Sequence, residues 1–320
     1  MDSLNNSLLA STGQSILAFL RFFGILIIGL VAGSYIAQWV TGVTVNTEGD
    51  LMRFISASED PQKILLYIQG ITATMAYLVF PFIYIITLKR DLKPAFAINT
   101  PDFTIFLILT TLCLFMVMPA LAYLVEWNKQ INLPESWGQI EQWMIKKEQM
   151  AQEMTNILID AQGRNSLIWI LVVVAVIPGI GEELLFRGIL QNEIFQATRN
   201  AHVAIWIAGF LFSFIHFQFF GFFPRLLLGV LFGYFYYWSG NILIPMILHF
   251  LNNASTLIMM NLYKMKQTNF DPESPDSIPG HVVISSSIIC LVLLYSIWHY
   301  FRKNKSQLFS NKIKDEHRYF

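Results

Sequence analysis

In "PGIGEELLFRG", residues 178–188, two adjacent carboxylates, Glu182 and Glu183, are followed by Arg187. Further along stand His216, in "LFSFIHFQ", and His249, Asn252 and Asn253, in "LHFLNNAS". Arg187 is four residues beyond Glu183, the spacing at which helical side chains meet, so those two can pair and neutralise one another. Glu182, about 100° around a helix from Glu183, then points elsewhere. A carboxylate in a poorly hydrated site suits a general base that must accept a proton from water. His249 and Asn253 are also four apart, so both can face one cavity as donors to an oxyanion, while Asn252 points partly aside. His216 could hold or polarise the same water. The chemistry these types suggest is hydrolysis by activated water. Two histidines and a carboxylate can also bind zinc with one position left for water. No HExxH occurs, and each histidine sits on its own helix, so the spacing leaves the metal open.

These groups stand out because of where the chain puts them. Of its 320 residues, 55% are apolar and 13% charged, and 27 are phenylalanine, a composition that marks a polytopic membrane protein. Lys plus Arg balance Asp plus Glu at 21 each, which offers no electrostatic footprint for a nucleic acid. A span needs roughly 20 apolar residues, and about eight runs qualify. They cover residues 16–40, 64–88, 103–126, 166–190, 202–218, 222–238, 242–262 and 282–301. The first lacks a basic leader and a cleavage site, so it reads as a retained span. The fifth and sixth are short and suggest a tight hairpin around "FQFFGFFPRLL".

Lys89, Arg90 and Lys93, then Arg199, then the basic tail "FRKNKSQLFSNKIKDEHRYF" fall on alternate connections. By the positive-inside tendency both termini are cytoplasmic, in a multi-pass protein of the cell (inner) membrane. The acidic connection at 41–63 and "DPESPDS" suit the opposite face. Residues 127–165 carry Trp137, Ile140, Met144, Ala151, Met154 and Leu158 near helical spacing, which predicts an amphipathic helix outside the bilayer. The expected fold is therefore all-α. Its expected parts are residues 1–165, with spans and the 127–165 insert, a core at 166–262, and residues 263–320, with the last span and tail. Cys113 and Cys290 lie in apolar runs as small hydrophobes rather than a disulfide framework.

Ionisable groups within a bilayer cost several kcal/mol unless paired or wet, so each is a functional candidate. Arg21, Lys63, Lys89 and Arg302 sit near span ends and can snorkel. Glu182, Glu183, Arg187, His216 and His249 cannot. Pro178, Gly179 and Gly181 stand just before the carboxylates, where a proline kink would make room for water.

In order and spacing, "EELLFR" (182–187), "FSFIH" (212–216) and "HFLNN" (249–253) resemble the EExxxR, FxxxH and HxxxN motifs of the CPBP family, the CAAX prenyl proteases and bacteriocin-processing membrane proteases. The resemblance covers about residues 166–262. It implies an intramembrane endopeptidase in which Glu182 activates water, His216 helps position it, and His249 with Asn253 stabilises the oxyanion. Glu183 and Arg187 would support them. It favours a metal-free, glutamate-dependent reaction, with zinc the alternative. The implied partner is a membrane-associated protein or peptide, CaaX-like or bacteriocin-type, met within membrane lipid. The rival reading is a transporter or a peptide-binding immunity or scaffold protein using the same polar cluster; a transporter would show inverted repeats, and none is evident.

One tension arises from helix arithmetic. From the cytoplasmic starts of their helices, His216 lies about 21 Å in and His249 about 10 Å in. Tilt, a cytoplasmic extension of the fifth helix or a re-entrant hairpin at 217–224 would be needed to bring them level.

Overall fold

Among the described residues every regular element is helical, as a bilayer requires, since a helix satisfies its backbone polar groups internally. The computed structural model describes residues 2–43, 48–87, 102–131, 133–159, 164–271 and 278–312. The basic cluster at Lys89, Arg90 and Lys93, the acidic stretch 272–277 and the tail from residue 313 lie outside them.

Among the described residues six helices are long and apolar enough to cross a membrane, at Gly13–Thr41, Pro61–Thr87, Phe103–Lys129, Leu167–Thr198, Leu243–Lys264 and Gly280–Tyr300. The protein is a multi-pass membrane protein. Two of the eight expected spans fall short of this. Ala201–Phe214 has 14 residues, and Phe222–Ser239 has 18 but carries Pro224 and Arg225 in its first turn.

The chain forms two compact units, each built from separate segments. The first takes residues 1–88, 149–204 and 249–257. It holds α1 (Asp2–Thr41), α2 (Glu48–Ala57), α3 (Pro61–Ala73) and α4 (Phe80–Thr87), the last two joined by a wide π-helical turn at Thr74–Val79. It also holds α7 (Arg164–Leu171), α8 (Ile177–Glu183) and α9 (Asn192–Thr198), linked by π-helical segments at Val172–Val176 and Leu184–Gln191. Asp60 starts α3 by accepting from the Lys63 N–H at 3.0 Å, with Pro61 in the first turn. "GLVAG" then lets α1 meet its neighbour closely. A Cβ at Gly29 would stand 2.5 Å from Ala76 Cα, and one at Gly33 2.7 Å from Thr72 Cα. At one end Ile55, Leu65, Leu158, Ile170 and Leu257 form a buried cluster, into which α2 inserts Leu51 beside Ile55.

The second unit takes residues 89–148, 205–248 and 258–320. It holds α5 (Phe103–Lys129), most of α10 (Ala201–Phe214), α11 (Phe222–Ser239) and α13 (Gly280–Lys312). Besides α10, two helices divide between the units: α6 (Gly138–Ile159) and α12 (Leu243–Lys264). The expected hairpin is present, since α10 and α11 are joined by residues 215–221. It closes where a Cβ on Gly229 would come 3.1 Å from Gly209 Cα, and where the Ser213 hydroxyl donates to the Phe222 carbonyl at 2.6 Å. The thiols of Cys113 and Cys290 are free and buried, with sulfurs 3.5 Å apart.

The expected amphipathic helix is α6, although its apolar side differs in detail. Met154 and Leu158 pack into the first unit's buried cluster, whereas Trp137 and Ile140 are half exposed. In its first half it is Trp143, outside the expected stripe, that finds aromatic partners.

Candidate active site

The first unit assembles four of the expected side chains. Glu182 and Glu183 end α8, and Arg187 follows in the π-helical segment Leu184–Gln191. The expected pair forms: Arg187 Nη1 donates to Glu183 Oε1 at 2.9 Å, both side chains fully buried. In such surroundings the pair costs desolvation on both sides, so its value lies in geometry more than in stability. The same Glu183 oxygen is 2.9 Å from His249 Nδ1. A carboxylate only accepts, so Nδ1 carries the proton, and in the neutral ring Nε2 is the basic nitrogen. That nitrogen is 4.0 Å from Glu182 Oε2. Arg187 thus orients Glu183, Glu183 orients His249, and His249 faces Glu182.

Glycine makes this approach feasible. A Cβ at Gly179 would lie 2.9 Å from the backbone nitrogen of Phe250, next to His249, and one at Gly181 2.6 Å from Tyr77 Cβ. Only a residue without a side chain admits the two neighbours there. Pro178 lies in the first turn of α8, directly after the π-helical segment Val172–Val176, which displaces carbonyls from their usual partners. One of these, on Val174, accepts from Asn253 Nδ2 at 3.1 Å. Asn253 Oδ1 accepts from Asn252 at 3.0 Å, so Asn252 turns towards its neighbour. Likewise Asn192 Nδ2 donates to the carbonyls of Arg187 (2.8 Å) and Gly188 (3.1 Å). The wide turns are thereby satisfied by amide side chains.

His216 belongs to the second unit. It follows the end of α10, half-buried, with Nδ1 donating to the Phe212 carbonyl at 2.6 Å and its ring edge-on to that of Phe212 at 5.2 Å. A proton on Nδ1 leaves Nε2 as the basic nitrogen here too. The next residue, Phe217, has φ +51, a left-handed conformation that a bulky side chain adopts at a cost.

Two residues of the first unit were not singled out in the sequence. Glu193 is buried, accepts from the Tyr84 hydroxyl and lies 3.6 Å from Arg21, whose expected snorkelling is thus directed at a carboxylate. Tyr77, backed against Gly181, lies in the field of Glu182. No sequence period would have paired them.

For zinc, three ligands must converge. His249 has one ring nitrogen committed to Glu183, and among the described residues no three His, Cys, Asp or Glu side chains are grouped to hold a metal.

Residues 164–255 match the family model described as "Type II CAAX prenyl endopeptidase Rce1-like". Over those residues the chain is similar to the CPBP family. Every candidate residue from Glu182 to Asn253 lies inside the matched stretch. The chain is also 34% identical over 77 residues to the "Uncharacterized protein YpbD" of Bacillus subtilis (strain 168), across 23% of this chain and 36% of that protein. It therefore spans about a third of the length of the curated relative it matches. No solved structure matches. Outside the CPBP-family stretch lie α1 to α6 and α13.

Proposed function

We propose that the protein is an intramembrane endopeptidase that cleaves a membrane-associated protein or peptide, CaaX-like or bacteriocin-type, by glutamate-activated water. The observation that carries this reading is the oriented relay Arg187–Glu183–His249, which ends 4.0 Å from Glu182. A nucleophile-activating base whose partner is held by a third group is the arrangement that hydrolytic chemistry uses. A separation of 4.0 Å is too long for a direct hydrogen bond and suits one water touching both groups.

In this reading Glu182 takes a proton from that water as the oxygen attacks the scissile carbonyl. The new C–O bond forms as the carbonyl pair moves onto oxygen, making an oxyanion. To meet that charge His249 must carry a second proton, on Nε2, and Asn253 must offer the amide hydrogen not given to the Val174 carbonyl. Collapse breaks the C–N bond, and the proton held by Glu182 passes to the departing amine. His216 helps position the water. The cell membrane, with both termini on the cytoplasmic side, is the proposed location.

The test uses purified full-length protein in liposomes with lipid-anchored CaaX and bacteriocin-type peptides. Wild type is expected to cleave one of them, while Glu182→Ala and Glu182→Gln fall at least 10³-fold, about the reach of general base catalysis. Cleavage is expected to survive strong chelators. Persistent cleavage by both variants would remove Glu182 as the base, and loss on chelation with recovery on adding zinc would overturn the metal-free reading.

A further inference from the structure

Asn253 can serve an oxyanion only if its amide presents hydrogen to it and not oxygen. The two ends of a primary amide have nearly the same shape, so packing does not choose between them and hydrogen bonds must. Two such bonds reach Asn253, and both choose the same way round. Its Nδ2 donates to the Val174 carbonyl at 3.1 Å, and its Oδ1 accepts from Asn252 Nδ2 at 3.0 Å. Turned over, the amide would set its oxygen against the Val174 carbonyl and its nitrogen against the Asn252 nitrogen. One contact would then hold two acceptors and the other two donors.

Each partner is brought there by a local irregularity. Val174 lies four residues before Pro178, which has no N–H to give its carbonyl. At the end of the π-helical segment Val172–Val176 the Ile177 N–H reaches back five residues, to the Val172 carbonyl. The Val174 carbonyl is thus turned to a donor from α12. On that helix neighbouring residues stand about 100° apart and do not ordinarily face each other. Asn252 nevertheless folds its side chain onto Asn253, while its own carbonyl accepts from Ser255 Oγ at 3.1 Å and Thr256 Oγ1 at 2.9 Å. Packing needs no amide at position 252, and the Val174 bond by itself already ties α12 to the segment before α8. What Asn252 adds is the choice of ends. All of these residues belong to the first compact unit.

We propose that Asn252 is a positioning residue: together with the Val174 carbonyl, to which Pro178 cannot donate, it fixes the Asn253 amide so that an N–H, and not the oxygen, is the group left to offer. The consequence for catalysis rests on the protease reading; the orientation does not. Asn252→Asp tests the choice at constant size. An ionised carboxylate only accepts, so it repels Asn253 Oδ1, attracts Nδ2 and pulls the amide over. Asn252→Ala removes one bond and leaves Val174 to choose alone.

Cleavage of the lipid-anchored peptides by the full chain in liposomes is expected to fall ten- to a hundredfold in kcat for Asn252→Asp, with KM within twofold. An oxyanion donor acts on the transition state and not on the bound substrate. Asn252→Ala is expected to lose two- to fivefold. In the Asn253→Ala background Asn252→Asp should change kcat by less than twofold, because no amide remains to be turned. Melting temperatures supply a second cycle that needs no activity. Asn252→Ala should lower melting by about 2–4 °C where Asn253 is present, the size of one hydrogen bond, and by less than 1 °C in the Asn253→Ala background. Unchanged kcat in Asn252→Asp, or an equal loss in the Asn253→Ala background, would overturn the positioning role. Equal melting shifts in the two backgrounds would overturn the contact itself. If wild type cleaves nothing, the protease reading fails while the melting cycle still decides the contact.

Discussion

The two histidines of the CPBP-family stretch are secured by opposite means. His249 lies in a buried helix, its Nδ1 on a carboxylate that is itself held by a fully buried arginine, and close-packed glycines back the arrangement. His216 lies beyond a helix end, its Nδ1 on a carbonyl of its own last turn, in a loop held by side chains from α5 and α11 and packed against by Trp143 of α6. One is fixed by charge and close packing, the other by hydrogen bonds to a turn. The first should therefore fail together with the fold, and the second should be separable from it.

The largest effect should come from breaking the charge relay. Arg187→Leu leaves Glu183 buried beside His249 without its guanidinium, a loss on the order of 3–5 kcal/mol. The double variant Glu183→Leu/Arg187→Leu should be more stable than either single one, yet inactive. Denaturation in detergent gives the stabilities, and a double variant no better than the singles would show that the pair is not the organising element.

Next in size, Gly181→Ala places a methyl group 2.6 Å from Tyr77 Cβ and 3.0 Å from Tyr77 backbone, and Gly179→Ala meets the Phe250 backbone at 2.9 Å. Each should cost about 1–3 kcal/mol through overpacking. Activity should drop more than stability does, because Glu182 and His249 are the immediate neighbours. Melting and cleavage measured together decide it, and unchanged activity would mean that the close approach does not set the relay.

The smallest change in stability should come from the second region. Asn128→Ala removes two hydrogen bonds to the 219–223 backbone, worth roughly 1 kcal/mol each, and His216→Ala removes one. His216→Ala should nevertheless lose cleavage while its melting point stays close to wild type. A large fall in melting point would erase the contrast between the two histidines.

Much of this was legible beforehand, for identifiable reasons. Six spans follow from hydropathy because a bilayer imposes one length on all of them. The Glu183–Arg187 pair follows from i,i+4 spacing, because both partners ride on one helical stretch. The Glu183–His249 contact does not, since 66 residues separate them and no local period encodes a tertiary meeting. "GLVAG" carried its own signal, small residues four apart, although it was not read as a packing face. Trp143 escaped because its partners lie in an irregular turn, and the end of α10 was read at residue 218 instead of Phe214 because "FIHFQFFGFF" stays apolar past the point where the helix stops.

The intrahelical pairing of Glu183 with Arg187 also bears on how this polypeptide is made. Both charges sit one turn apart on a single continuous helical stretch, so they can cancel as soon as that turn winds, before α12 delivers its histidine. The insertion machinery then has to admit one net negative charge on this segment instead of three separate ions, which brings a strongly ionic sequence closer to what lateral entry into lipid tolerates.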